Sequence, residues 1–207
     1  MDIETGSRFH EELMPTGHES KMDSASIAKV GNFLYRSGGY NDDMCSSTYV
    51  FRYSPHFGLW TELAPMSQPR VSHAMCASED KIFVLGGIEH TIGENGDEDR
   101  ILSTVEVYDV KTNSWEVLTE QTTGSYNQAA SYSNNCVYLS GGISADPFDS
   151  VPMTAMWCYD IKEEAWSMKK DMLYARQGHS MTQLDGKLYV LGGYTRGATH
   201  LFPLFFL

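Results

Sequence analysis

Two arginine–histidine pairs, Arg70 with His73 and Arg176 with His179, are the side chains best equipped for chemistry in this 207-residue chain. Histidines gathered with tyrosines could ligate copper for an oxidase, and arginines could clamp a carboxylate through two parallel hydrogen bonds. The first chemistry is disfavoured. Both histidines recur at one position of an internal repeat, which suits strand packing, and no paired carboxylates or nucleophile motif accompanies them. Cys45, Cys76, Cys136 and Cys158 form no Cys-x-x-Cys pair and have no histidine at a zinc-ligand interval. The chain is therefore expected to be neither an enzyme nor a holder of metal or cofactor. The second chemistry stands, with Arg70 and Arg176 as the candidate carboxylate anchors.

The elements that position these residues are announced by spacing. The runs "FLYRSGGY" (33–40), "KIFVLGGI" (81–88), "CVYLSGGI" (136–143) and "KLYVLGGY" (187–194) each end in a glycine pair. Trp60 precedes Gly86, Trp115 precedes Gly141 and Trp166 precedes Gly192 by the same 26 residues. Tyr53, Tyr108 and Tyr159 stand 7 residues before those tryptophans. By contrast, the second glycine leads the tyrosine by 14, 21 and 17 residues, so length variation is confined to one surface loop. Turn dipeptides such as Asn134-Asn135 and Asp185-Gly186 join a small, mixed first strand to the apolar second strand. A third strand ends at each tyrosine and a fourth starts at each tryptophan.

Each unit is thus a four-stranded antiparallel meander. A run such as Leu188 to Leu191 presents apolar groups on both faces of its sheet, and one sheet in water cannot bury both. The expected fold is all-β: radially stacked blades of a β-propeller, with small first strands around a central channel. The spacing predicts blades over 23–66, 67–121, 122–172 and a partial 173–200, after an N-terminal extension (1–22) and before an apolar tail (201–207).

The order of Arg, His, apolar strand, Gly-Gly, Tyr-Asp and Trp resembles the kelch repeat. It reads Arg70, His73, Gly86-Gly87, Tyr108-Asp109 and Trp115 in one copy, and Arg176, His179 and Gly192-Gly193 in the last. The third copy departs, with Ser125 and Gln128 in place of Arg and His, and the first has Met22 and Ala25 there. The resemblance spans about 23–194 and implies an incomplete propeller of about three and a half blades. It implies a protein or peptide partner and, in a longer parent carrying BTB and BACK domains, a substrate receptor of a cullin-RING ubiquitin ligase. The stretch before residue 22 is too short for a BTB fold. A fragment or truncated isoform is the expectation, with an exposed sheet face that makes the isolated product aggregation-prone or dependent on a partner. An actin-associated scaffold is the alternative the same fold implies.

Net charge is -12, which opposes nucleic acid and anionic membranes, both of which need clustered Lys and Arg. No secretory signal or 18-residue apolar segment is present, and a reducing cytoplasmic or nuclear compartment is expected. In an up-and-down blade successive connections alternate between rims. The loops 40–47, 88–104 and 143–154 therefore share one rim with the segments carrying Arg70, Ser125-Tyr126 and Arg176. Ligand contacts are expected there from Arg70 and Arg176, Tyr40, Tyr126 and Tyr194 as stacking surfaces, Asn41 and Asn127 as amides, and Arg196. The acidic run 93–100 reads as a solvated loop, or else as a selector of basic ligands that opposes the arginine assignment.

Overall fold

The computed structural model describes residues 23–94, 96–145 and 151–195. The extension 1–22, the tail 201–207 and Arg196 lie outside the described residues. The first blade comprises β1 (Ser26–Val30), β2 (Phe33–Ser37), β3 (Val50–Ser54) and β4 (Leu59–Glu62), paired in that order. The second has β5 (Ala74–Ala77) and β6 (Lys81–Leu85), then a hairpin of β7 (Ile88–Gly93) and β8 (Gly96–Ile101), then β9 (Thr104–Asp109) and β10 (Ser114–Glu120). Its sheet order is β5-β6-β9-β10, and the hairpin stands apart. The third has β11 (Ser125–Tyr126), β12 (Ala129–Ser133), β13 (Cys136–Ser140), β14 (Ile143–Ser144), β15 (Met156–Asp160) and β16 (Ala165–Met168). Here β12-β13-β15-β16 form the sheet and β11 pairs with β14. β17 (Gln177–Leu184) and β18 (Lys187–Tyr194) form a two-stranded fourth sheet.

The all-β propeller is as expected, three full sheets and a partial fourth among the described residues. Strand β6 shows why the sheets stack. Ile82 and Val84 point into clusters shared with the first blade, through Val30, Tyr35, Val50 and Met66. Phe83 and Leu85 point the other way, into a cluster with Val137, Leu139 and Tyr159 of the third blade. All four β6 side chains are at most 1% exposed, so both faces are covered. At about 25 cal/mol per Å² of apolar surface, each contributes roughly 1.5–3 kcal/mol that a free-standing sheet would forfeit.

First strands of successive sheets lie side by side, β1 on β5, β5 on β12 and β12 on β17. A cavity of about 350 Å³ is lined by residues of all four, including Ala28, Cys76, Ser131 and Thr182. This is the channel, lined by small side chains at those four positions and by larger ones such as Lys29, Met75 and Tyr132 beside them.

The repeat markers acquire physical roles. Tyr53, Tyr108 and Tyr159 lie directly across the ladder from Trp60, Trp115 and Trp166, ring centroids 5.0, 5.0 and 5.2 Å apart. Asp109 and Asp160 cap the turn between third and fourth strands, each Oδ1 accepting two backbone N–H groups. Trp115 donates its Nε1–H to Ala64 O (2.8 Å) and so ties the second blade to the first.

One expectation needs correction. The variable segment 88–104 is largely a β-hairpin, with Glu89 opposite Arg100 and Ile92 opposite Asp97, instead of an irregular loop. Gly93 pairs with Gly96 at the reversal, where Gly96 has a φ of 120°, and the two arms pair through their main chains although neither shows regular apolar alternation.

Candidate functional site

The rim that carries the variable loops is built on a spiral of main-chain hydrogen bonds. Ser24, Ser72, Asn127 and Gly178 occupy one position in the four blades, and all four have φ between 54° and 62°. Ser72 N–H donates to Ser24 O, Asn127 N–H to Ser72 O, and Gly178 N–H to Asn127 O, each at 2.9 Å. The left-handed conformation turns each amide towards the preceding blade. Beside this spiral, the residue following each glycine pair bonds to the segment leading into a first strand. Tyr40 N–H donates to Asp23 O, Val71 bridges Ile88, Tyr126 pairs with Ile143, and Gln177 with Tyr194.

The glycine pairs are required by close approach. A Cβ on Gly38, Gly86 or Gly141 would lie 2.3, 2.3 or 2.4 Å from the carbonyl oxygen of Arg70, Ser125 or Arg176 in the next blade. Those same carbonyls accept from the second glycines, Gly39, Gly87 and Gly142, at 2.9, 2.8 and 2.9 Å. The repeat arginine position is therefore a main-chain staple whatever its side chain.

Arg70 lies wholly inside the second blade with no exposed surface. Its NH1 donates to Gly86 O (2.7 Å) and Thr104 O (3.1 Å), and its NH2 to Thr104 Oγ1 and Glu106 Oε1, both at 2.7 Å. The carboxylate it clamps belongs to its own blade: Glu106 is equally buried and takes a further bond from Ser67 N–H (2.8 Å). Burial lowers the Arg70 pKa from its ordinary value, and the bond to Glu106 opposes that shift. Arg176 is likewise buried and donates to Gly192 O (2.6 Å). Neither guanidinium lies at the rim surface where the sequence reading put a ligand anchor: second- and third-strand acceptors hold Arg70 within its sheet, and the Gly192 carbonyl of β18 receives Arg176.

The histidines are staples too. His73 Nε2 lies 2.8 Å from Ser37 Oγ and His179 Nε2 lies 2.9 Å from Ser140 Oγ, each joining a blade to the serine before the preceding glycine pair. Burial, then the neighbouring arginine, pulls His73 down to about 3 and His179 to about 4, so both are neutral at physiological pH. The third blade has no such serine beneath it: Leu85 occupies that place and Gln128 reaches the Leu85 carbonyl instead (2.9 Å).

Of the remaining expected contacts, Tyr40 is partly buried, its ring edge-on to His90 with centroids 5.6 Å apart. Its hydroxyl pKa is raised by burial and by Asp99, which also bonds His90 Nδ1 at 2.6 Å. Asn41 spends its Oδ1 on Cys45 N–H (2.9 Å) and so closes its own loop. Asn127 donates Nδ2 to Gln177 Oε1 (3.1 Å) across the blade boundary. Tyr126 is partly exposed, and Tyr194, 45% exposed, lies with its ring beside Gly178. The rim thus gathers Tyr40, Tyr126, Asn127 and Tyr194, and withholds Arg70 and Arg176.

No spacing or motif announced the cluster of Tyr40, His90 and Asp99, which depends on the hairpin. Ser46 ties that hairpin to the first blade, exchanging main-chain and hydroxyl bonds with His90. Glu106 was equally hidden, 36 residues after its arginine. Among the described residues no cluster of three or more His, Cys, Asp and Glu is placed to hold a metal ion.

Residues 11–193 match the family described as the KLHDC2/KLHL20/DRC7 Kelch-repeats domain. The chain is 32% identical over 173 residues to Kelch-like protein 36 of Rattus norvegicus, covering 81% of this chain and 26% of that protein. It is 28% identical over 186 residues to Kelch-like protein 15 of Homo sapiens, covering 81% of this chain and 29% of that one. Against Kelch-like protein 26 of Danio rerio it is 26% identical over 182 residues, 86% of this chain and 28% of the other. The chain spans somewhat over a quarter of the length of these relatives.

Proposed function

The chain belongs to the kelch-repeat family and is a protein-interaction module, and on that premise we propose that a protein or peptide ligand docks on the rim around the channel mouth. In a longer parent the module would act as the substrate receptor of a cullin-RING ubiquitin ligase. One observation carries the rim assignment: the left-handed spiral of Ser24, Ser72, Asn127 and Gly178 fixes a rigid floor, and length variation is confined to the loops rising from it. Rigid scaffold and variable loops are the division of labour by which folds acquire specificity. Tyr40, Tyr126 and Tyr194 supply aromatic surface at that level, which suits peptide contacts.

Proximity labelling in cells tests the reading. The Tyr40→Ala/Tyr126→Ala/Tyr194→Ala variant is expected to lose a discrete partner set that the unsubstituted chain retains. An identical set for both would overturn the rim assignment. For the ligase role, depleting the longer parent should lengthen the half-life of a rim partner; an unchanged half-life would leave an interaction module without that role.

A further inference from the structure

We propose that the third blade contains a socket for a neutral primary carboxamide, such as the Asn or Gln side chain of a partner peptide. That a peptide brings it rests on the rim reading above, whereas the socket stands on geometry internal to the chain.

In the second blade the Arg70 guanidinium lies among Gln68, Gly86, Thr104 and Glu106. The repeat maps each onto the third blade. Gly86 corresponds to Gly141, so Arg70 corresponds to Ser125 and Gln68 to Thr123 at the same interval. Gly86 N–H donates to Thr104 O, and Gly141 N–H donates to Ala155 O, so Ala155 matches Thr104. Val84 opposes Glu106 in the ladder and Leu139 opposes Trp157, so Trp157 matches Glu106. These five counterparts, Thr123, Ser125, Gly141, Ala155 and Trp157, all line one cavity of about 130 Å³. It is the guanidinium compartment of the repeat, opened by the shorter serine.

The chemistry of the walls selects the guest. Both charges of the buried pair are replaced together, arginine by serine and glutamate by tryptophan. A cation entering here would be buried without a counter-charge, which is strongly unfavourable. A carboxamide is planar, neutral and offers N–H donors to the same two main-chain carbonyl positions that receive Arg70 NH1. It also brings an acceptor, which a guanidinium lacks. The walls call for one: Gln121 Nε2 and Trp166 Nε1 are buried donors without a hydrogen-bond partner among the described residues, and both residues line the cavity. Thr122 and Thr123 at the margin are exposed, on the link that leads to the loop rim. The volume accommodates a side-chain amide.

Indole resonances of the isotope-labelled chain report directly. Millimolar propionamide is expected to shift the Trp166 Nε1–H resonance saturably, with n-propylguanidinium and propionate at least about tenfold weaker. Ser125→Gln, which places a carboxamide in the socket from within, should abolish the response and raise the unfolding midpoint. Ala155→Val narrows the opposite wall and should weaken propionamide binding even if the glutamine variant does not fold. Equal binding of guanidinium or propionate, a propionamide response that survives Ser125→Gln, or propionamide affinity unchanged by Ala155→Val would overturn the socket. A rim partner set that persists while propionamide fails would remove the socket and leave the rim reading standing.

Discussion

Replacing Arg70 by Met separates a structural arginine from a ligand-binding one. Methionine retains the apolar stem but removes bonds to Gly86 O, Thr104 O, Thr104 Oγ1 and Glu106 Oε1. Glu106 then keeps Ser67 N–H but loses its only ion-pair partner among the described residues, at 0% side-chain exposure. Removing one member of such a buried pair costs about 3–5 kcal/mol, a large part of the roughly 5–15 kcal/mol that holds a domain folded. With a urea slope of about 2 kcal/mol per molar, the midpoint should fall by about 1.5–2.5 M. Lys111 and Asp80 make the control, because their N–O distance is also 2.7 Å while their side chains are 74% and 43% exposed. Lys111→Met should leave the midpoint nearly unchanged, since solvent screens the pair. Arg70→Met/Glu106→Met should recover most of the single-variant loss, as two apolar groups leave no buried charge. Intrinsic fluorescence through a urea titration measures all four proteins. An Arg70→Met chain with an unchanged midpoint that no longer captures its partner would refute the structural role and restore Arg70 as an anchor.

Acid should weaken the blade stack through His73 and His179. Their folded pKa values, about 3 and about 4, lie below the ordinary 6.5, so the unfolded chain takes up protons first as pH falls. Their contribution is complete above pH 6.5 and is lost progressively below it; at pH 5 each costs about 2 kcal/mol, and His73→Gln/His179→Gln should flatten the urea midpoint against pH. A slope unchanged in that variant would place the acid sensitivity elsewhere. Gly86→Ala and Gly192→Ala alter the same repeat position with opposite surroundings. A Cβ at Gly86 would meet Ser125 O at 2.3 Å, whereas at Gly192 nothing among the described residues lies within 4 Å. The first should abolish or severely weaken folding, and the second should cost only about 1–2 kcal/mol of left-handed strain, read by thermal unfolding. Ser125→Arg should destabilise the third blade by about 3–5 kcal/mol, and adding Trp157→Glu should recover much of that by recreating the buried pair. Additive losses in that double variant would break the correspondence between the two blades.

The fold was legible because its signals are local and periodic. Gly-Gly, Tyr and Trp sit at constant intervals because one ladder fixes them: Tyr108 opposes Trp115, and the same register recurs in the neighbouring sheets. The surroundings of the arginines were not legible. Glu106 reaches Arg70 only after the variable segment, whose length differs in every blade, so no spacing announces the pair. The hairpin was hidden for a related reason, since an acidic strand such as "GDEDRI" carries little of the apolar alternation that marks a half-buried strand.

What looks like erosion in the third copy is complementarity to its neighbour. Where Ser37 or Ser140 precedes the glycine pair, the next blade presents His73 or His179 to the hydroxyl. Where Leu85 stands instead there is no hydroxyl to meet, and Gln128 supplies an amide that can donate to the Leu85 carbonyl. Its Oε1 faces the Ser125 hydroxyl, which in turn contacts Gln121 Oε1 at 2.9 Å. A long arginine at position 125 would have no carboxylate to meet, since Trp157 holds the counterpart of Glu106. Ser125, Gln128 and Trp157 therefore form one coordinated replacement, in which a charged staple becomes a neutral network and the blade gains an interior compartment facing the loop rim.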